Sequence, residues 1–310
     1  MCIVLISNQH PSYPLILASN RDEFLGRPTL QADFWAPPNG HVLGGRDLFR
    51  PAQGTWLGVT QDGRLAVLTN FREDTEPANP AAVSRGEMVN AFLMAPAEDV
   101  ADIEDFVKRL ISGDAARGSG GFSLVCGRIG QALAVVSNRM QQEGEVKWIG
   151  HDGGRETVGL SNATFGDHTW PKVVNGRRMM EDLMRDWIES GTSREQIVES
   201  LFGLLSTDTL PMPKEGEGWE TSVKQLRNSI FVPRLGARVK SAGEPSASQD
   251  PASVPLATAT SGLYGTQKQT IVMLDKHGHL FFTEKTLFDE KGKDINGQPD
   301  SIRAFDFGIS

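Results

Sequence analysis

Cys2 directly follows the initiator methionine, and a short way along the chain comes the run Asn20-Arg21-Asp22-Glu23. A thiol, a guanidinium and carboxylates in one place are the parts of a nucleophilic centre, because the thiolate is the attacking species and a neighbouring cation favours it. The small second residue favours removal of Met1. Cys2 would then carry a free α-amine of intrinsic pKa about 7.7–8, close to the thiol's about 8.5 and able to act as base for its own side chain. In that arrangement Arg21 stabilises the thiolate and Asp22 orients the amine or the guanidinium. A plainer reading stands beside it: Cys2 as a small hydrophobe opening a strand, and the charged run as a capped turn with surface ion pairs.

A hairpin would bring these residues together. The apolar runs Ile3–Ile6 and Leu15–Ser19 flank the turn-rich segment Asn8-Gln9-His10-Pro11-Ser12, and both strands read as buried on two faces. Pairing symmetric about residues 10 and 11 sets Cys2 opposite Ser19 or Asn20, with Arg21 and Asp22 emerging beside it on one strand edge. Asn70, after the strand-like Leu65–Thr69, and Asn162, after Val158-Gly159-Leu160-Ser161, are placed to donate side-chain amides to an oxyanion. Asparagine also favours strand ends for its turn chemistry, so each keeps a structural reading.

Further strands are expected at 55–60, 65–69, 122–126, 132–137, 269–274 and 279–284, in antiparallel hairpins because the connections are short. Helices are expected over 84–94, 98–111, 172–189 and 193–205, with Thr192 and Glu195 as a capping box for the last. The methionines of the third helix fall at core spacing. Gly118-Ser119-Gly120-Gly121 precedes a strand and lacks the Lys-Ser/Thr of a phosphate loop. From about 240 to 260 the chain is Ser/Ala/Pro/Gly-rich and reads as a disordered surface insertion in a single domain spanning 1–310. The alternation of strand and helix blocks indicates an α+β fold.

The 310 residues carry a net charge of -8 and only two cysteines, Cys2 and Cys126. That balance argues against nucleic acid as a partner and against a disulfide framework. No apolar stretch is long enough for a membrane span or a signal sequence, so any membrane contact is expected to be peripheral.

Met1-Cys2-Ile3, Asn20-Arg21-Asp22-Glu23, Gly44-Gly45-Arg46-Asp47, Gly54-Thr55-Trp56-Leu57-Gly58, Leu68-Thr69-Asn70-Phe71-Arg72, Leu160-Ser161-Asn162, Trp170-Pro171-Lys172-Val173, Ser229-Ile230-Phe231-Val232 and Tyr264-Gly265-Thr266 occur in this order. Together they resemble the NRDE family, that of transport and Golgi organization protein 2, over nearly the whole chain. More distantly the chain resembles N-terminal nucleophile hydrolases of the choloylglycine and penicillin V acylase group. The resemblance implies a four-layer αββα sandwich, with Cys2 as nucleophile, Arg21 and Asp22 as its neighbours, and Asn70 and Asn162 as amide-bearing site residues. Gln267 departs from the family pattern, which has Arg after Tyr-Gly-Thr; Lys268 is the cation at hand to replace that charge.

For function the resemblance implies a part in Golgi organization and protein secretion, from the cytoplasm and in contact with Golgi or mitochondria. Haem or an acylated small molecule is the implied cargo, with no cofactor required. No Cys-x-x-Cys-His motif exists for haem attachment, and of the candidate axial ligands His10, His168 and Cys2, His168 is preferred for its place beside Trp170. Three readings stay open: a carrier of haem or acyl lipid, an N-terminal cysteine amidohydrolase or thioesterase, and a secretory-pathway interaction factor with a vestigial pocket.

Overall fold

The computed structural model describes residues 2–71, 83–139, 146–211, 224–236 and 262–309. The tract expected as an insertion, 240–260, lies outside the described residues.

Strands β1 (Ile3–Ser7) and β2 (Leu15–Phe24) form the first hairpin. Their apolar residues alternate between two cores. Ile3, Leu5, Ile16 and Ala18 face helices, while Val4, Ile6, Leu15 and Leu17 face a second sheet. This double burial is why the runs are continuously apolar. The other strands are β3 (Thr29–Phe34), β4 (Val42–Asp47), β5 (Leu57–Thr60), β6 (Arg64–Asn70), β7 (Phe122–Arg128), β8 (Leu133–Ser137), β9 (Lys147–Ile149), β10 (Thr157–Leu160), β11 (Tyr264–Leu274), β12 (His279–Thr286) and β13 (Ile302–Gly308). They make two antiparallel sheets, ordered β10-β1-β2-β11-β12-β13 and β3-β4-β5-β6-β7-β8-β9.

Helices α1 (Gly86–Met94), α2 (Ile103–Ser112) and the single turn α3 (Asp114–Arg117) cover the outer face of the seven-stranded sheet, around Phe92, Val107 and Phe122. Helices α4 (Pro171–Ser190) and α5 (Arg194–Leu205) cover the outer face of the six-stranded sheet, where Met180 and Met184 pack against Ile3 and Ile271. Between the sheets lies a third core that includes Val67, Val125, Val272 and Phe282. The layers are therefore α, β, β, α, as expected.

Several local expectations need correction. The first hairpin pairs Ile3 with Asn20, so the register, continued, sets Cys2 across from Arg21 rather than Ser19 or Asn20. The run expected as one helix over 98–111 divides into a 3-10 turn at Ala97–Val100 and α2, because the Asp102 side chain accepts from Asp105 N and starts a new helix. The capping box of α5 is Ser193 with Gln196, one residue beyond Thr192 and Glu195. Thr192 instead bonds Ser190 at 2.6 Å.

Strands β3 and β4 had no counterpart in the sequence reading, since Gly44 and Gly45 weaken the β signal. The structure gives both glycines a reason. A Cβ on Gly44 would come within 2.7 Å of the Leu57 carbonyl oxygen, and one on Gly45 within 2.6 Å of the Trp56 ring.

The hairpin register turns Asn20 towards the helices, fully buried, where its amide donates to the carbonyls of Leu205 and Ile230 at 2.8 Å each. It therefore ties β2 to the end of α5. Asn20→Ala leaves both carbonyls without this donor and is expected to lower stability by about 1–3 kcal/mol, read as a reduced midpoint in urea unfolding.

Candidate functional site

Strand β2 carries both Arg21 and Asp22, and strand alternation sends them to opposite faces of the sheet. The expectation that guanidinium and carboxylate share one edge is corrected on that point. Asp22 faces the helical layer. Its Oδ1 accepts from Thr266 Oγ1 of β11 at 2.7 Å, and its Oδ2 lies 3.8 Å from Lys172 Nζ in the first turn of α4, both ionic side chains being wholly enclosed. Arg21 faces the other sheet. Its guanidinium lies over the Trp56 ring, 4.4 Å from the centroid, 4.0 Å from the Asp47 carboxylate, and donates to Gln267 Oε1.

Trp56 can hold this place because Gly45 lets the indole lie against β4 while its other side meets Arg21. Such a contact is worth about 2 kcal/mol or more when desolvated. Asp47 is shared with Arg27, whose Nε approaches it at 2.7 Å.

Cys2 sits at the N-terminal end of β1, with Sγ 3.9 Å from the Asp22 carbonyl oxygen, which also accepts from Tyr264 OH at 3.1 Å. The Cys2 carbonyl accepts from Ser161 Oγ at 2.6 Å. From there the contacts run on to both asparagines: Asn162 Nδ2 donates to the Asn70 carbonyl at 2.5 Å, and Thr69 Oγ1 donates to the Ser161 carbonyl at 2.8 Å. These bonds fasten the end of β6 to the segment after β10, and so join the two sheets beside the thiol. Cys2, Arg21, Asp22, Asn70 and Asn162 thus fall in one region.

The charges around the thiol oppose one another. Desolvation pushes the Cys2 thiol up, the amino-terminal charge draws it down, Asp22 raises it, and its backbone hydrogen bond and Arg21 lower it; the net direction is upward. Lys172 is shifted the other way: burial lowers it, against the opposing pull of Asp22 and Cys2. Tyr264 is held well above the usual phenol range by burial and by Asp22, Glu23 and Cys2.

One expectation about a neighbouring residue is corrected. Lys268 does not stand in for a guanidinium, because its ammonium is spent on Glu284 Oε1 at 3.2 Å and Thr286 Oγ1 at 3.1 Å. Gln267, in the irregular step of β11 between Thr266 and Lys268, takes an active part by accepting from Arg21. His168 is exposed in the loop before α4, outside this cluster. His10 turns its Nδ1 to the backbone N–H of Ser12 at 3.1 Å. Among the described residues no group of three or more His, Cys, Asp or Glu is arranged to hold a metal ion, and no helix is long and apolar enough to cross a membrane.

Lys172, Tyr264, Thr266, Trp56 and Asp47 were not singled out from the sequence, although each lies in a run quoted above. Lys172 carried a usable signal. A cation in the first turn of a helix opposes the helix dipole, so a lysine directly after Trp170-Pro171 needs an anion to hold it.

Known proteins resemble this chain along nearly its whole length. They include the Transport and Golgi organization protein 2 homologs of Bos taurus, 30% identical over 301 residues (93% of each chain), and Homo sapiens, 29% identical over 303 residues (94% of each chain). The Transport and Golgi organization protein 2 of Drosophila melanogaster is 28% identical over 310 residues, covering 96% of this chain and 95% of its own. Among solved structures, similarity extends to a mutant of the conjugated bile acid hydrolase from Clostridium perfringens (TM-score 0.40, 12% identity, 99% of this chain and 92% of that one). It also reaches the penicillin V acylase from Agrobacterium tumefaciens (TM-score 0.35, 15% identity, 99% of this chain and 92% of that one). A family model described as Transport and Golgi organisation 2 matches residues 1–289, and the chain belongs to that family.

Proposed function

We propose that the centre around Cys2 performs acyl chemistry, with the thiol sulfur attacking the carbonyl carbon of an amide or thioester. One observation carries the reading: the Cys2 thiol and the buried Tyr264 hydroxyl meet at the Asp22 carbonyl oxygen, and the Asp22 carboxylate is held in the buried layer by Thr266 and Lys172. Burying ions costs several kcal/mol each even after relaxation, so a set of this size beside a thiol is retained against the interest of stability alone.

In the reaction the S–H proton passes to the α-amine that removal of Met1 exposes on Cys2, which later returns it to the leaving group, while sulfur forms a bond to the carbonyl carbon and the carbonyl π electrons move to oxygen. The side-chain amides of Asn70 and Asn162 are the proposed donors to that oxyanion. Collapse expels the amine or thiol, which takes up a proton, and water then releases the acyl group from Cys2. No cofactor enters this sequence. The process for which the relatives are named, transport and Golgi organisation, comes to this chain as the setting: an acylated small molecule or lipid, met in the cytoplasm or at the surface of a membrane.

A second reading has its own support. Burial favours the protonated thiol, which suits a centre that holds an acylated cargo without turning it over. Of the two cargoes implied by the resemblance, haem is the less suited, because His168 is exposed in its loop and His10 is bonded to backbone.

An activated acyl thioester probe, followed by intact-mass and peptide analysis, separates the readings. Acylation of Cys2 that clears with time marks the enzyme, and saturable binding without an adduct marks the carrier. Absence of both removes acyl chemistry from this centre. Since Arg21 draws the thiol down, Arg21→Met is expected to raise its pKa, leave less thiolate at neutral pH and slow adduct formation there by roughly a few-fold, measured as the initial acylation rate.

A further inference from the structure

Strand β11 breaks its alternation at one residue. Thr266 is paired with Asp22 and Lys268 with Arg21, so Gln267 is an extra residue that β2 does not match. A bulge of this kind bends the strand and re-aims the side chain it carries. Here it delivers two successive side chains to the inter-sheet face: Gln267, which accepts from Arg21, and Lys268, which meets Glu284 of β12 at 3.2 Å. Regular alternation would have sent one of the two to the helices. The bulge is pinned by its own backbone, the Gln267 carbonyl accepting from Leu287 N at 2.9 Å.

The two neighbouring cations of this face have different partners. Lys268 is matched by a carboxylate, Glu284, which the Ala32 N–H of β3 also binds at 2.8 Å. Arg21 donates instead to a neutral amide and lies over a neutral ring, that of Trp56. The carboxylate nearest it, Asp47, stands at 4.0 Å and is engaged by Arg27 at 2.7 Å. A carboxylate in the place of Gln267 would hold the guanidinium but cancel much of its field; an amide holds it and leaves the charge in force. The first hairpin, continued one step beyond the pair of Ile3 with Asn20, sets Cys2 across from Arg21 at the separation of a cross-strand pair. The less compensated of the two charges is therefore the one beside the thiol.

We propose that Gln267 is a positioning residue, a neutral clamp that fixes the Arg21 guanidinium against Cys2 without neutralising it, a role that rests on Cys2 being the attacking group. The thiolate formed on the way to attack then meets a cation already in place, with no side chain to reorganise.

The other charged groups around the thiol come from several elements. Asp22 of β2 lies on the opposite face with Lys172 of α4, and the amino-terminal charge belongs to Cys2 itself. Tyr264 of β11 donates to the Asp22 carbonyl, and Glu23 of β2 acts on Arg27 and Tyr264. Gln267 bonds to Arg21 and acts on the thiol through it.

The test is alkylation of the full-length protein with iodoacetamide from neutral to alkaline pH, with Cys2 and the buried Cys126 separated by peptide mass spectrometry. Gln267→Met keeps the length of the side chain and removes the acceptor. It is expected to move the Cys2 alkylation midpoint to higher pH and to slow reaction at neutral pH by roughly two- to threefold. In an Arg21→Met background the same substitution is expected to change nothing further, a pattern that a simple packing defect would not give. Gln267→Glu keeps the acceptor but sets an anion on the guanidinium, and is expected to raise the midpoint at least as far. Should Gln267→Met fail to fold, Gln267→Asn retains an amide drawn back by one methylene. It is expected to shift the midpoint in the same direction, again only with Arg21 present.

An unchanged midpoint in any folded single variant overturns the assignment, as does a shift of equal size from Gln267→Met or Gln267→Asn with and without Arg21. The acyl thioester probe keeps this apart from the broader reading. Wild-type protein whose alkylation depends on Gln267 but which is never acylated retains the clamp and loses the acyl reaction. Wild-type protein that is acylated, with alkylation indifferent to Gln267, does the reverse.

Discussion

A carboxylate removed from water needs a cation or a set of donors around it, and Asp22 meets that requirement by drawing on two separate elements. Thr266 comes from the neighbouring strand and Lys172 from a helix that the chain reaches only after both sheets have been started. Much of the surrounding arrangement answers to this one demand. Helix α4 must begin where its first turn overlies β2, and Pro171 at its first position together with the Lys172–Arg227 backbone bond sets that start. Strand β11 must lie beside β2 in a register that delivers Thr266. The irregular step next to it then frees Gln267 to reach Arg21 on the other face.

The alternation of β2 gives the molecule a division of labour across a single strand. On the helical side the residues are Asn20 and Asp22, which anchor α5 and α4. On the inter-sheet side Arg21 is held by an indole, a carboxylate and an amide. A guanidinium so held has little rotamer freedom left to lose, and its charge is fixed relative to the thiol. Preorganisation of this kind is what distinguishes a site that stabilises developing charge from a surface ion pair.

How far the sequence disclosed this depended on whether a residue's signal was local. The apolar runs of β1 and β2 have one meaning, burial on both sides, and they were legible; so were α4, from the spacing of Met180, Met184 and Trp187, and the four-layer order, through resemblance. Register was not legible, because the turn between Ser7 and Leu15 is long enough to allow either pairing and nothing within the hairpin chooses. The choice is made at a distance, by Leu205 and Ile230, whose carbonyls require Asn20 to face them. Strands β3 and β4 were hidden for a similar reason, since Gly44 and Gly45 are required by Leu57 and Trp56 on other segments. Lys172 and Trp56 stood inside recognised runs, but their partners, Asp22 and Arg21, are distant in sequence and become neighbours only through the packing of layers.

The pairing of β2 with β11 has a consequence for how the protein comes into being. Cys2 leaves the ribosome well before Thr266, Tyr264 and Gln267, and the first hairpin cannot finish its sheet without them. Long-range pairing of this kind is slow and leaves strand edges open in the meantime. Until β11 is made, the Cys2 thiol therefore lies on an incomplete sheet, without the Tyr264 and Thr266 contacts that complete the surroundings of Asp22 beside it.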